Sequence, residues 1–422
     1  MFKLILLSLT LITTSISQAA VWEDTNSWSM EWEAKYQEWI KSDAVHKNLF
    51  ISPESKYHGM LPDCADAAYA IRAIFSLENK LPFKVINPSG SRNGIYRHLD
   101  NRSNKFDSAG STPEARLVAM INYLGDSVGT EHLAHYDTYP VKIESVDSGT
   151  LFLYKYKKWY HKNAIRHTYN IKDVTKYGDY DVIYSTQAIV KDKLPMIRRM
   201  NHNFSNLPHG AWGYKRFIWP EFDGRSNDEL PRELEYSEEQ FKMADKLGER
   251  FFRFVKNQLK EEDENPQQLL YRKLQDLCQE AMDRIEYVNQ GWNHHLRTGG
   301  KCMDYEDYDA YSTPSRDRAL ENSFKRLEAD FDEVVSRGLD TLVKKRLIEV
   351  LRAIFKGDND GPYVSEDLAN TCTLKYREGA SMNLATLWER LEKGRLSSHP
   401  NDSLEHRWGE KKFGRTNCKK WY

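Results

Sequence analysis

The chain has 422 residues and a formal net charge of −1, from 61 Lys and Arg against 62 Asp and Glu. That balance gives no long-range steering toward nucleic acid. Aromatic residues make up 12% and charges of both signs run throughout, which excludes a disordered chain and points to a globular one.

The first stretch, "MFKLILLSLTLITTSISQAA", reads as a secretory signal. Lys3 is its charged start, Leu4 to Ile12 its apolar run, and Ser17-Gln18-Ala19 its small-x-small cleavage site. No Leu-x-x-Cys precedes the cleavage point, so a lipid anchor is not expected. No later apolar run reaches the roughly 18 residues a spanning helix needs. The mature chain is therefore expected to be exported, periplasmic or secreted, with no stable membrane anchor. Its length suggests two or three domains.

Residues 21–59 carry "WSMEWEAKYQEWIKSD", read as an N-terminal helix packed on the next domain. Cys64 to Glu78 is helical, with Ala67, Ala68, Ile71, Ile74 and Phe75 at helical spacing. Cys64 falls on the same face, and Asp63 is a candidate N-cap. Residues 84–113 are rich in Asn, Ser, Gly and Arg and read as a long loop. "TPEARLVAMINYLG" is a second helix with Pro113 in its first turn. "YPVKIESV", "GTLFLYKYKKWY" and "RHTYNIKDVTKYGDYDVIYSTQA" read as strands, the last a pair around a turn at Lys176 to Asp179. Gln187 to Pro220 is irregular but aromatic, Ser237 to Phe355 is strongly helical, and the tail from Lys356 is mixed and polar.

This order predicts an α+β fold: a nucleophile-type helix on an antiparallel sheet, followed by an all-α helical domain. The expected divisions are a signal peptide at 1–20, an α+β domain at 21–220, a helical domain at 221–356 and an irregular segment at 357–422.

Five cysteines are present: Cys64, Cys278, Cys302, Cys372 and Cys418. An exported chain meets an oxidising compartment, where cysteines pair. The economical pairing is Cys278–Cys302, across a break between helices, and Cys372–Cys418 in the tail. Each bridge stabilises by roughly 3 to 4 kcal/mol in the loop-entropy model. Cys64 is then left free, either as a reactive thiol or as a buried inert one.

A thiol at a helix N-terminus faces backbone N–H groups and the positive end of the dipole, which favour thiolate and can hold an oxyanion. Such a site needs a base. His167 opens the strand "HTYNIKDV" and can take the thiol proton and return it to the leaving group. A third polar group holds the imidazole tautomer. The turn near Gly178 sets Ser185 to Gln187 opposite His167, so Ser185 and Gln187 are the candidates. Asn170 lies on the other face of the His strand. Tyr57 and His58 are candidates for an extra oxyanion donor.

Cys on a helix start, His on a strand and a polar residue on the next strand resemble the papain-like cysteine hydrolases over residues 58–187. The nearest branches are the NlpC-type cell-wall peptidases and the transglutaminase-like proteases. "DCADAAYAIRAIF" is similar to the nucleophile helix of the cell-wall group, and "GTLFLYKY" followed by "RHTYNI" to its Gly-led strand and His strand. The spacing from Cys64 to His167 is longer than is usual in either branch. Where the transglutaminase-like branch has Asp on the third strand, this chain has Ser185, with Asp181 earlier. The resemblance implies an exported hydrolase of amide bonds in peptides, or in peptidoglycan stem peptides, needing no cofactor. Acyl transfer to an amine is one alternative. A catalytically inactive scaffold with a helical binding module is another.

Other motifs carry less. His132 and His135 in "EHLAH" lack the HExxH pattern, and His294-His295 face opposite ways if extended, so no metal site is expected. "GDNDGPYVSED" fails as a calcium loop because Lys356 would fall at its first ligand position. "CMDYEDYDAYS" reads as a disulfide-anchored surface loop. Trp212, Tyr214, Phe217 and Trp219 suit either sugar stacking or packing onto a domain surface, with packing the commoner case.

Overall fold

The computed structural model describes residues 20–92, 95–157, 164–186 and 194–421, with side chains outside 87–97. The signal-peptide reading and Gln187 fall outside the described residues. The class is α+β with an antiparallel sheet.

Helix α1 (Met30–Lys41) precedes α2 (Cys64–Glu78). Next come the hairpin β1 (Lys84–Arg92) and β2 (Ile95–Asp100), then α3 (Pro113–Gly125) and α4 (Thr130–His135). The strands after them are β3 (Thr138–Pro140), β4 (Leu151–Tyr156), β5 (Ile165–Val174), β6 (Tyr180–Tyr184), β7 (Ile197–His202) and β8 (Gly213–Phe217). The helical half runs through α5 (Glu239–Leu247), α6 (Phe251–Leu259), α7 (Pro266–Arg297), α8 (Tyr305–Tyr311), α9 (Pro314–Ser336), α10 (Lys345–Lys356) and α11 (Val364–Thr371). The chain closes with the hairpin β9 (Thr373–Arg377) and β10 (Ala380–Asn383), then α12 (Leu384–Glu392) and α13 (Leu404–Arg407).

Strands β3 to β8 form one six-stranded antiparallel sheet in the order β3-β8-β4-β5-β6-β7. Its two faces are covered differently. Helix α2 lies on one face, enclosed by α1, α3 and α4. Every residue from Cys64 to Ser76 is buried, so α2 is a central helix and not the amphipathic one its spacing suggests. Arg72 is the one long cation inside it. Its guanidinium makes a fork on the Glu33 carboxylate of α1 and lies 3.4 Å from the Trp28 ring centroid. The Lys172 ammonium of β5 donates to Ile40 O (2.8 Å), Lys41 O (3.1 Å) and Ser42 O (2.6 Å). It thereby satisfies the open carbonyls at the C-terminus of α1.

The other face of the sheet carries aromatic rings. Phe152 stacks on Phe204 at 3.9 Å, Tyr169 meets His202 at 4.6 Å, and the Tyr180 and Tyr214 hydroxyls bond at 2.7 Å. Phe252 of α6 packs on Phe152 and Phe204. The α5–α6 segment thus belongs to the core of the sheet half, and that core ends beyond residue 220.

A second core spans residues 270 to 408. The segment 357–422, read as irregular, contributes α11, the β9–β10 hairpin and α12, and buries Trp388 and Trp408 in this core. It is part of the helical half. Two further segments hold strands where none was read. Residues 84–113 open with the β1–β2 hairpin, and residues 187–220 supply β7 and β8.

The disulfides join Cys278 to Cys372 and Cys302 to Cys418, with Cα–Cα distances of 5.7 and 5.4 Å. The sequence reading paired Cys278 with Cys302 and Cys372 with Cys418, and both pairs are wrong. Helix α7 is continuous over 32 residues, with no break after Cys278. From Cys278 to its end it rises roughly 30 Å at 1.5 Å per residue. Cys302 lies past that far end, well beyond the 4.4–6.8 Å a bridge spans. Cys64 is free, as expected.

Candidate functional site

Cys64 is the first residue of α2, and burial together with the cap in front of it sets its chemistry. Asp63 Oδ1 accepts from the N–H of Ala65 (2.9 Å) and Asp66 (3.1 Å), while Asp66 Oδ2 accepts from the N–H of Asp63 (3.1 Å). This reciprocal capping box occupies the N–H groups of Ala65 and Asp66, which are therefore not open to an oxyanion. It also places two carboxyls beside the sulfur. Burial, with Asp63 next, pushes the thiol up to about 12. The sulfur meets Thr130 Oγ1 at 3.3 Å, and the Thr168 backbone donates toward it. Burial and Asp63 also raise the Asp66 carboxyl to about 8.

His167 is not part of this arrangement. Side chains alternate across a strand, so Thr168 and Asn170 face one side of β5 and His167 and Tyr169 the other. Ser185, on the α2 side, donates to Pro62 O at 2.7 Å. It holds the turn before Cys64, where an orienter was expected. The His167 ring packs against Tyr169 (4.6 Å), Tyr184 (5.0 Å) and Tyr154 (5.9 Å) on the far side. Burial, then the Arg199 charge, lowers it to about 3, so it is neutral at pH 7. Among the described residues no hydrogen bond joins Cys64 to His167.

The remaining candidates are engaged elsewhere or exposed. The β5–β6 pairing, Asn170 with Ile183, extrapolates to Thr186 opposite His167, but β6 ends at Tyr184. Asn170 Nδ2 donates to Ile183 O at 3.2 Å. Asp181 pairs with Arg198. Tyr57 donates to Glu78 at 2.8 Å, at the opposite end of α2 from Cys64. His58 is exposed. His135 lies 3.4 Å from Glu131, and no metal-holding group exists among the described residues. Trp212, Tyr214, Phe217 and Trp219 are all buried in the first core, so this aromatic run is packing.

A cleft of about 490 Å³ lies where the far face of the sheet meets the start of α9. From the sheet come Tyr154, His167, Tyr169, Tyr184 and Arg199, and from the helical half Ser312, Pro314, Ser315 and Arg316. This is within the range of small-molecule pockets. Of these residues the sequence singled out His167 alone. Arg199 in "RRMNH" and Arg316 in "PSRDRAL" carry no motif, and it is the fold that unites them.

The fold and cleft define a two-part α+β protein with a disulfide-bridged helical half. No family model matches the chain, no curated protein matches its sequence, and no solved structure matches its fold.

Proposed function

We propose that the chain is an exported ligand-binding protein: a papain-like α+β scaffold whose Cys64 is a packing residue, joined to a helical module that completes a binding cleft. The observation that carries this reading is the opposed placement of Cys64 and His167 about β5. A thiol raised to about 12 and an imidazole lowered to about 3 are both moved away from the values that acid–base chemistry at neutral pH requires. His167 instead lines the cleft.

The second reading is the exported cysteine hydrolase of peptide or peptidoglycan amides, with Cys64, His167, and Ser185 or Gln187 in the roles the resemblance implies. It is favoured by an unbridged thiol at the first turn of a central helix. Two measurements on the folded chain separate the readings. Iodoacetamide is expected to modify Cys64 at pH 7.5 far more slowly than it modifies free cysteine. Wild type and Cys64→Ala are expected to act equally on casein and on cell-wall sacculi. Modification faster than free cysteine, or hydrolysis lost in Cys64→Ala, establishes the hydrolase instead.

A further inference from the structure

We propose that the cleft binds a small organic acid, with Arg199 and Arg316 holding a carboxylate or phosphate head and the tyrosine wall covering an apolar or aromatic body. The inference deepens the binding reading and rests on it. Neither guanidinium has a hydrogen-bond acceptor or an ion pair among the described residues. By contrast, Arg198 pairs with Asp181, Arg166 with Glu131 and Arg284 with Asp317. Arg199 lies over the Tyr184 ring at 5.9 Å and Arg316 over the Tyr287 ring at 4.3 Å. A partly buried cation that no carboxylate pairs with directly is costly unless an anion joins it.

A second feature points the same way. Helix α9 starts at the cleft, and no side chain caps it. The Thr313 hydroxyl donates to Asp317 Oδ2 at 2.8 Å, and Pro314 has no N–H. The N–H groups of Ser315 and Arg316 are left facing outward from a 23-residue helix, the arrangement that receives anions.

The acidic groups nearby have other partners, and Asp283, which shares a lining with both arginines, lies 3.6 Å from the Lys47 ammonium. Asp317 is occupied by Arg284, Thr313 and Ser398. Glu280 acts on Arg199 through space, without an ion pair, and is bonded to Ser323. Asp309 stands exposed at the rim and has an interaction of its own. Arginine forks suit carboxylate and phosphate alike, so the head group is left to the experiment.

The test is calorimetry on the disulfide-intact full chain at pH 7 and low salt, with phenyl phosphate, benzoate, inorganic phosphate and neutral benzyl alcohol. Phenyl phosphate or benzoate is expected to bind at one site, at least tenfold tighter than benzyl alcohol, and the tighter of the two assigns the head. Arg199→Met and Arg316→Gln are each expected to weaken that binding at least tenfold while leaving the ligand-free Tm unchanged or raised. Cys64→Ala is expected to bind as wild type does. Charged probes binding no better than benzyl alcohol, or unchanged affinity in both arginine variants, overturns the proposal. Either result leaves the alkylation measurement on Cys64 standing by itself.

Discussion

Asp66→Asn tests the account of the capping box directly. Burial and Asp63 raise the Asp66 carboxyl from 3.8 to about 8, and its Oδ1 has no partner. A shift of that size disfavours the ionised form by about 6 kcal/mol. Asp63 and Asp66 hold one proton between them at neutral pH, so a single substitution recovers only part of this, about 2 to 4 kcal/mol. The folded chain binds more protons than the unfolded one between pH 4 and 8, so this pair makes stability fall as pH rises through that window. Asn keeps an oxygen for the Asp63 N–H and offers its amide to the Asp63 carboxylate. Urea unfolding followed by tryptophan fluorescence, from pH 4.5 to 8.5, is the assay. The variant is expected to gain on wild type steadily as pH rises, by about 2 to 4 kcal/mol at pH 8. A difference that does not vary with pH refutes the shared-proton box.

Lys172→Met removes three charge-assisted bonds to the end of α1. It is expected to cost about 2 to 4 kcal/mol and to lower hydrogen-exchange protection in α1 before α2; a loss below about 1 kcal/mol contradicts the anchoring role. Non-reducing peptide mapping is expected to recover Cys278 linked to Cys372 and Cys302 linked to Cys418. Replacing both members of the first pair by Ser is expected to cost about 4 to 5 kcal/mol in the loop-entropy model. Recovery of a Cys278–Cys302 peptide disproves the continuous α7.

The sequence made the start of α2 legible because Asp63 is a strong capping residue followed by helical spacing. The β4–β5–β6 meander was legible because its strands are apolar and the turn contains Gly178, which takes a positive φ of 76°. The side to which β5 turns His167 was not legible. "HTYN" alternates His and Tyr against Thr and Asn, and either pair could face α2. The choice is made by elements distant in sequence: α6 packs Phe252 on the aromatic side, and the start of α9 borders the cleft there. Strand β7 was missed because it lies at the sheet edge with two arginines, a histidine and an asparagine. The cysteine pairing was not legible because Cys278 and Cys302, near in sequence, are held apart by a helix that does not break.

The position of β8 has a consequence for how the molecule is made. It is the last strand of the large sheet to be synthesised, yet it sits between β3 and β4. Until residues 213–217 emerge, β3 has no strand neighbour and β4 keeps one flank of backbone donors and acceptors unpaired. A ribosome stalled before that point would hold a half-built sheet, open to invasion by any extended chain nearby.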